Sequence, residues 1–267
     1  MARKTIFITG GASGIGRAVA QRFADGGWFV GIADIDEAGM AATAAMLPVG
    51  QSSCHKLDVR DRAGWDVALA DCAAASGGRI DVVFNNAGIP IGGAIVDLTP
   101  EEIERTLDIN MKGVIFGAQA AYPWLKVSGP GSVLLNTASA AGIYGTPGAS
   151  VYSATKFGVR AITESLDGEW ADDGICVRSL MPSFIDTPLL SHATNRASNE
   201  DIRTRVVNAG LEITPVGDVA EAAWAAVHGD KLHILVGKTA RRIAFASRWM
   251  PGSLRKQMRS SNRPLGK

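Results

Sequence analysis

Hydrophobic residues are distributed along the chain in two alternating patterns. Short apolar or β-branched runs occur at 5–9, 28–34, 53–57, 81–85, 131–136, 175–181 and 233–236, and several, such as Val82-Val83-Phe84, show no polar alternation. Strands with unbroken apolar runs are those covered on both faces. Between them lie longer amphipathic segments at 14–26, 38–47, 62–76, 100–127, 150–172 and 218–228, each long enough for a helix. This rhythm predicts a doubly wound α/β fold, a seven-stranded parallel sheet with helices on both faces. No repeat, low-complexity tract or linker divides the chain, so residues 1–237 are expected to form one domain, with 238–267 as an extension of it.

The composition, 46% hydrophobic and 20% charged with 31 glycines, fits a soluble globular protein rich in tight turns. A net charge of +1 excludes a general affinity for nucleic acid, yet it conceals an asymmetry. From Lys238 to Lys267 there are nine basic and no acidic residues, leaving 18 basic against 26 acidic before them, a net of −8. Cys54, Cys72 and Cys176 are odd in number and widely spaced, which predicts reduced, buried thiols, and the four histidines show no metal-ligand spacing, so no metal is expected. The N-terminal apolar run breaks at Thr9, short of a secretory signal, and no 18-residue apolar stretch follows, making the cytoplasm the expected location.

Two clusters carry candidate chemistry. Thr9-Gly10-Gly11-Ala12-Ser13-Gly14-Ile15-Gly16 follows the first strand and opens the first helix. In that context Gly10 permits a tight turn, Gly14 lets backbone approach a pyrophosphate, Gly16 lets the helix pack on the strand, and the helix N-terminus faces the phosphates. Glycines alone also make ordinary strand-to-helix turns. Asp34 ends the second strand 18 residues after Gly16, where a carboxylate accepts from ribose hydroxyls and repels a 2′-phosphate; with Ile35, Asp36 and Glu37 following, this Rossmann-type pattern favours NAD over NADP. Arg17 is either solvated or within reach of a phosphate. Tyr152 and Lys156, four apart on one helix face, pair a phenol with an ammonium and outline a general acid/base, although a packed ring beside a solvated amine has the same spacing.

Together with Asn85-Asn86-Ala87-Gly88 and Ser139, these motifs make residues 4–237 resemble the compact branch of the short-chain dehydrogenase/reductase family. The resemblance implies an oxidoreductase in which Tyr152 is the acid/base, Lys156 lowers its pKa and holds the nicotinamide ribose, Ser139 binds the substrate oxygen, and Asn110 positions Lys156 through a water. It implies cofactor contacts from Gly10, Ser13, Gly14, Ile15, Gly16 and Asp34, from Asp58 and Val59 at the adenine, from Asn86, Ala87 and Gly88, and from Tyr152 and Lys156. Pro182, Ile185 and Thr187 lie where the family holds the carboxamide, but Ser183 replaces the usual Gly, so either the turn differs or Ser183 shapes the pocket.

The substrate is expected to be an uncharged secondary alcohol or ketone in a pocket near Ile143, Tyr144, Pro147, Leu189 and Leu190, since neither flanking loop opens with a cation. The expected assembly is a homotetramer or homodimer built on helices 100–127 and 150–172, as the resemblance implies. Residues 241–250 are apolar and basic; packing on the body is preferred to contact with an anionic bilayer, and Pro251-Gly252 is expected to break any helix. The alternatives are an NADP-dependent carbonyl reductase and a dinucleotide-binding regulator without turnover. A regulator usually lacks a catalytic Tyr, Lys or Ser, and none is missing here.

Overall fold

The computed structural model describes residues 3–192 and 200–261. The apolar runs form strands β1 (Thr5–Thr9), β2 (Phe29–Asp34), β3 (Ser52–Lys56), β4 (Val82–Asn85), β5 (Val133–Thr137) and β6 (Cys176–Pro182). A two-residue pair follows, β7 (Phe184–Ile185) and β8 (Ile213–Thr214), and then β9 (His233–Val236). The main sheet is parallel throughout, in the order β3-β2-β1-β4-β5-β6-β9, as the alternating pattern predicts. Consecutive Ile6, Phe7 and Ile8 are all fully buried, which requires that both faces of β1 be covered.

The helices are α1 (Gly14–Asp25), α2 (Glu37–Ala44), α3 (Arg62–Ser76), α4 (Pro100–Leu107), α5 (Gly113–Ser128), α6 (Ser150–Glu169), α7 (Ile202–Asn208), α8 (Val216–His228), α9 (Lys238–Trp249) and α10 (Pro251–Ser261). On one face, Phe23 of α1, Trp28 and Trp224 of α8 meet edge to face, with Phe23 5.1 Å from each indole. On the other, Trp65 and Leu69 of α3 and Leu125 of α5 pack with Phe7. Side chains of this size contribute about 1.5–3 kcal/mol each when fully buried, so both faces are driven hydrophobically.

Three expectations need correction. The helix expected at 100–127 is interrupted at Asp108–Lys112 by a single π-helical turn, an insertion common at functional sites, and Asn110 lies within it, fully buried. Pro251-Gly252 does not end helical structure: after the one-residue break at Met250, Pro251 opens α10, because a first-turn proline forfeits no intrahelical bond. Of the cysteines only Cys72 is buried; Cys54 is exposed and Cys176 partly so. The basic tail packs on the body, with Ala240 of α9 and Leu254 of α10 buried. Among the described residues no helix is long and apolar enough to cross a membrane.

Candidate active site

The order of the strands reverses between β1 and β4, and the crevice beyond their C-terminal ends is where open α/β sheets receive ligands. Gly10 (φ 66°) and Gly14 (φ 52°) turn the chain from β1 into α1 through left-handed backbone that other residues rarely adopt. A Cβ on Gly16 would lie 2.1 Å from the Gly10 carbonyl oxygen, so the helix approaches the turn more closely than any side chain permits. Thr9 ties this turn to the end of β4: its hydroxyl accepts from the Asn86 and Ala87 amides at 3.0 and 3.2 Å. The Asn86 side chain donates back to the Thr9 carbonyl at 3.0 Å. Ser13 caps α1 without a side-chain bond, and Ile15 packs partly against the core.

At the tip of β2, Asp34 accepts from the Ala12 amide at 3.1 Å and from the Ile35 and Asp36 amides at 2.8 and 3.1 Å. Its carboxylate therefore braces the glycine turn while remaining partly exposed. Arg17 is neither solvated nor extended toward the crevice. Its guanidinium donates to the Thr43 hydroxyl at 2.9 Å and to the Ala12 carbonyl. Asp58, beyond β3, is paired with Arg60, which holds its carboxyl below the usual range, and Val59 is buried against Gly113.

The candidate acid/base residues Tyr152 and Lys156 lie on α6, and Ser139 follows β5. Lys156 is 4% exposed, and its Nζ donates to the Thr137 carbonyl at 2.8 Å. Burial lowers its pKa to about 8. Burial also raises the Tyr152 phenol, and a hydrogen bond with the Ser139 hydroxyl offsets part of that rise. The expected lowering of the Tyr152 pKa by Lys156 is not seen. Nζ stands 5.6 Å from the phenol ring centroid and is directed to the Thr137 carbonyl instead. Ser139 further accepts from the Ala141 amide at 3.1 Å and donates to the Pro182 carbonyl at 3.4 Å, linking β5 to β6.

Asn110 is committed at both ends of its amide: Oδ1 accepts from the Ile89 amide and Nδ2 donates to the Ile89 carbonyl, each at 2.8 Å. It thereby fixes the segment after β4, where a Cβ on Gly88 would lie 3.2 Å from Asn110 Oδ1 and 3.8 Å from Lys156 Nζ. Ile185 is buried, and the Thr187 side chain lies over Gly14, within 3.4 Å of where a Cβ there would sit, so the turn after β1 and the segment after β6 close on each other. Ser183 resolves the question of the missing glycine. A Cβ on Gly237 would lie 2.5 Å from its Oγ, so its hydroxyl is directed to the start of α9.

Two contributors escape sequence reasoning, Thr137 and Asn136, as does the bracing role of Thr9, which the motif supplies only as its first residue. Asn136 accepts from Asn85 Nδ2 at 3.0 Å and donates to the Thr163 hydroxyl at 3.1 Å, bridging β4, β5 and α6. A signal was present, an amide inside the apolar run Val-Leu-Leu-Asn-Thr, because such a group is buried only with partners.

Comparison with known proteins agrees with this geometry. Residues 4–198 match the short chain dehydrogenase family model. The chain is 35% identical over 188 residues to L-2,3-butanediol dehydrogenase of Corynebacterium glutamicum, covering 69% of this chain and 72% of that protein. It is 36% identical over 192 residues to 2-dehydro-3-deoxy-L-rhamnonate dehydrogenase (NAD(+)) of Sphingomonas sp. (strain SKA58), covering 71% and 75%. The crystal structure of 3-ketoacyl-(acyl-carrier-protein) reductase from Brucella melitensis complexed with NADH superposes with a TM-score of 0.78 at 30% identity, covering 89% and 98%. With the Rossmann-type nucleotide-binding sheet and the assembled Ser139, Tyr152 and Lys156, the chain belongs to the short-chain dehydrogenase/reductase family and is an oxidoreductase of that family.

Proposed function

We propose that the enzyme interconverts a secondary alcohol and a ketone with NAD as hydride partner and Tyr152 as general acid/base. The observation that carries this reading is the meeting of Ser139, Tyr152 and Lys156 beside the crevice that the glycine turn opens. A dinucleotide suits the lining. Gly10, Ser13, Gly14, Ile15 and Gly16 would hold the pyrophosphate, Asp34 the adenosine ribose, and Asp58 with Val59 the adenine. Asn86, Ala87, Gly88, Tyr152 and Lys156 would hold the second ribose, and Pro182, Ile185 and Thr187 the carboxamide. When bound, the nicotinamide accepts or supplies the hydride.

For oxidation, Tyr152 as phenolate takes the hydroxyl proton, and Ser139 donates to the oxygen as the carbonyl develops. For reduction, the phenol returns the proton. Lys156, its pKa lowered by burial to about 8, would serve as a proton donor or acceptor behind the phenol. Asn110 acts as a positioning residue through Ile89 and Gly88.

NAD is favoured over NADP because a 2′-phosphate would meet the Asp34 carboxylate while Arg17 is engaged elsewhere. The Sphingomonas relative carries NAD(+) in its name, and the Brucella structure contains NADH, which supports the same choice. Titration with NAD and NADP tests it, with tighter NAD binding expected; tighter NADP binding overturns it. A screen of alcohols followed at the reduced-nicotinamide absorbance tests the reaction. We further propose a homotetramer or homodimer built on α4, α5 and α6, where Leu107 and Phe157 are exposed apolar side chains. Light scattering is expected to show an assembly larger than the monomer.

A further inference from the structure

We propose that α10 completes the substrate pocket, and that Arg255 and Arg259 bind an anionic group, a carboxylate or a phosphate, at the far end of an apolar substrate stem. This rests on the alcohol/ketone reading above and names its substrate class. A shallow cavity of about 380 Å³, largely open to solvent, is lined by Tyr144, Gly145, Pro147, Arg255, Met258 and Arg259. Its first three residues belong to the segment that joins Ser139 to the helix bearing Tyr152. That wall is fastened to α6, since the Thr146 amide donates to the Ser153 hydroxyl at 3.1 Å, one residue beyond Tyr152. α9 packs beside the turn Ala140–Gly142 that follows Ser139, which brings the tail to the same side of the sheet.

The other wall has a defined chemistry. Arg255, Met258 and Arg259 are spaced three and four apart and share one face of α10, while the preceding Leu254, 3% exposed, anchors the helix to the body. α10 contains no acidic residue, and among the described residues neither guanidinium takes part in an ion pair. Two cations facing one cavity repel each other, and an anion between them removes the repulsion while accepting bidentate hydrogen bonds. Tyr144, Pro147 and Met258 supply apolar surface for the stem. An oxo or hydroxy compound with an acidic terminus therefore matches both the cavity and its neighbours better than the neutral substrate expected from the loops.

The test uses the full-length enzyme with NADH and methyl ketones of graded chain length, each bearing a terminal carboxylate, a terminal phosphate monoester, or the methyl ester of the carboxylate. At the favoured length an anionic ketone is expected to exceed its neutral ester in kcat/KM by about tenfold or more. Comparing the carboxylate and phosphate series identifies which anion is preferred. In the Arg255→Gln/Arg259→Gln double variant, checked for folding by circular dichroism, the anion-to-ester ratio is expected to approach unity. Lys256→Gln, which removes a charge from the same helix outside the cavity, is expected to preserve the ratio.

Equal use of anion and ester by the wild type, or a ratio that survives the double substitution, overturns the proposal. Calorimetric titration of the same oxo acids separates the two readings. If no ketone in the series is reduced, the alcohol/ketone assignment fails. The anion site then stands on binding that the double variant loses, and falls if the wild type binds none of the acids.

Discussion

The turn at 9–16 and the terminal helices α9 and α10 border the site from opposite ends of the sequence, and they are held to very different tolerances. A Cβ on Gly16 would stand 2.1 Å from a backbone oxygen, whereas nothing lies within 4 Å of one on Gly252. Thr9, Asn86 and Asp34 bind the first region by short polar bonds to backbone. The second is anchored by Ala240, Leu254 and one short polar bond, from the Lys238 amide to the Glu212 carboxylate at 2.7 Å, and presents Phe245 and Trp249 to solvent, 60% and 65% exposed. The cofactor side thus behaves as a fixed frame, and the tail as an attached wall whose surface can vary without disturbing it.

Substitutions break or sharpen this contrast. The largest effect is expected for Tyr152→Phe, which keeps the ring in the frame and deletes the proposed proton carrier. Loss of about 10²–10⁴-fold or more in kcat, with NAD affinity by calorimetry nearly unchanged, is the expected result. Retained turnover would reject Tyr152 as acid/base.

Ser139→Ala is expected to act next most strongly. It removes a hydrogen bond that lowers the raised Tyr152 pKa, so the phenolate becomes harder to form. Alcohol oxidation requires the phenolate and rises with pH toward that pKa; in the variant the rising limb of log kcat/KM should move to higher pH. An unmoved limb would remove Ser139 from this role.

Gly16→Ala tests the tight region without touching the chemistry. Overpacking of this kind costs about 1–3 kcal/mol, read as a lower urea midpoint, with weaker NAD binding. Gly252→Ala is the matching change in the loose region. It exchanges glycine for a better helix former in open space, and stability should rise by at most about 0.5 kcal/mol. Comparable losses at both positions would erase the distinction between frame and wall.

Much of the frame was legible because it depends on short-range chemistry. The strand runs, the glycine turn and the Tyr152–Lys156 interval each require particular residue types at fixed spacing, and the sheet formed in the expected parallel arrangement. Arg17 was less legible, since its partners Thr43 and Ala12 are set by the packing of α2 on the turn. The π-turn at Asn110 was invisible, because Asp-Ile-Asn-Met-Lys contains no glycine or proline to mark a break in the helix. Between a changed turn and a pocket role for Ser183 the sequence could not choose, because nothing in its neighbours announces that Ser183 faces Gly237.

By itself the sequence determined the family, the parallel sheet and a set of candidate residues for the crevice, since backbone sterics, hydrophobic periodicity and helical spacing act over a few residues. Only the tertiary structure decided how those residues are charged and what stands opposite them. The environment of Lys156 and Tyr152 depends on how deeply α6 is buried, and the Arg255–Arg259 face reaches Tyr144 and Pro147 across more than a hundred residues of chain. Burial and long-range juxtaposition are properties of the packed whole, so no local pattern encodes them.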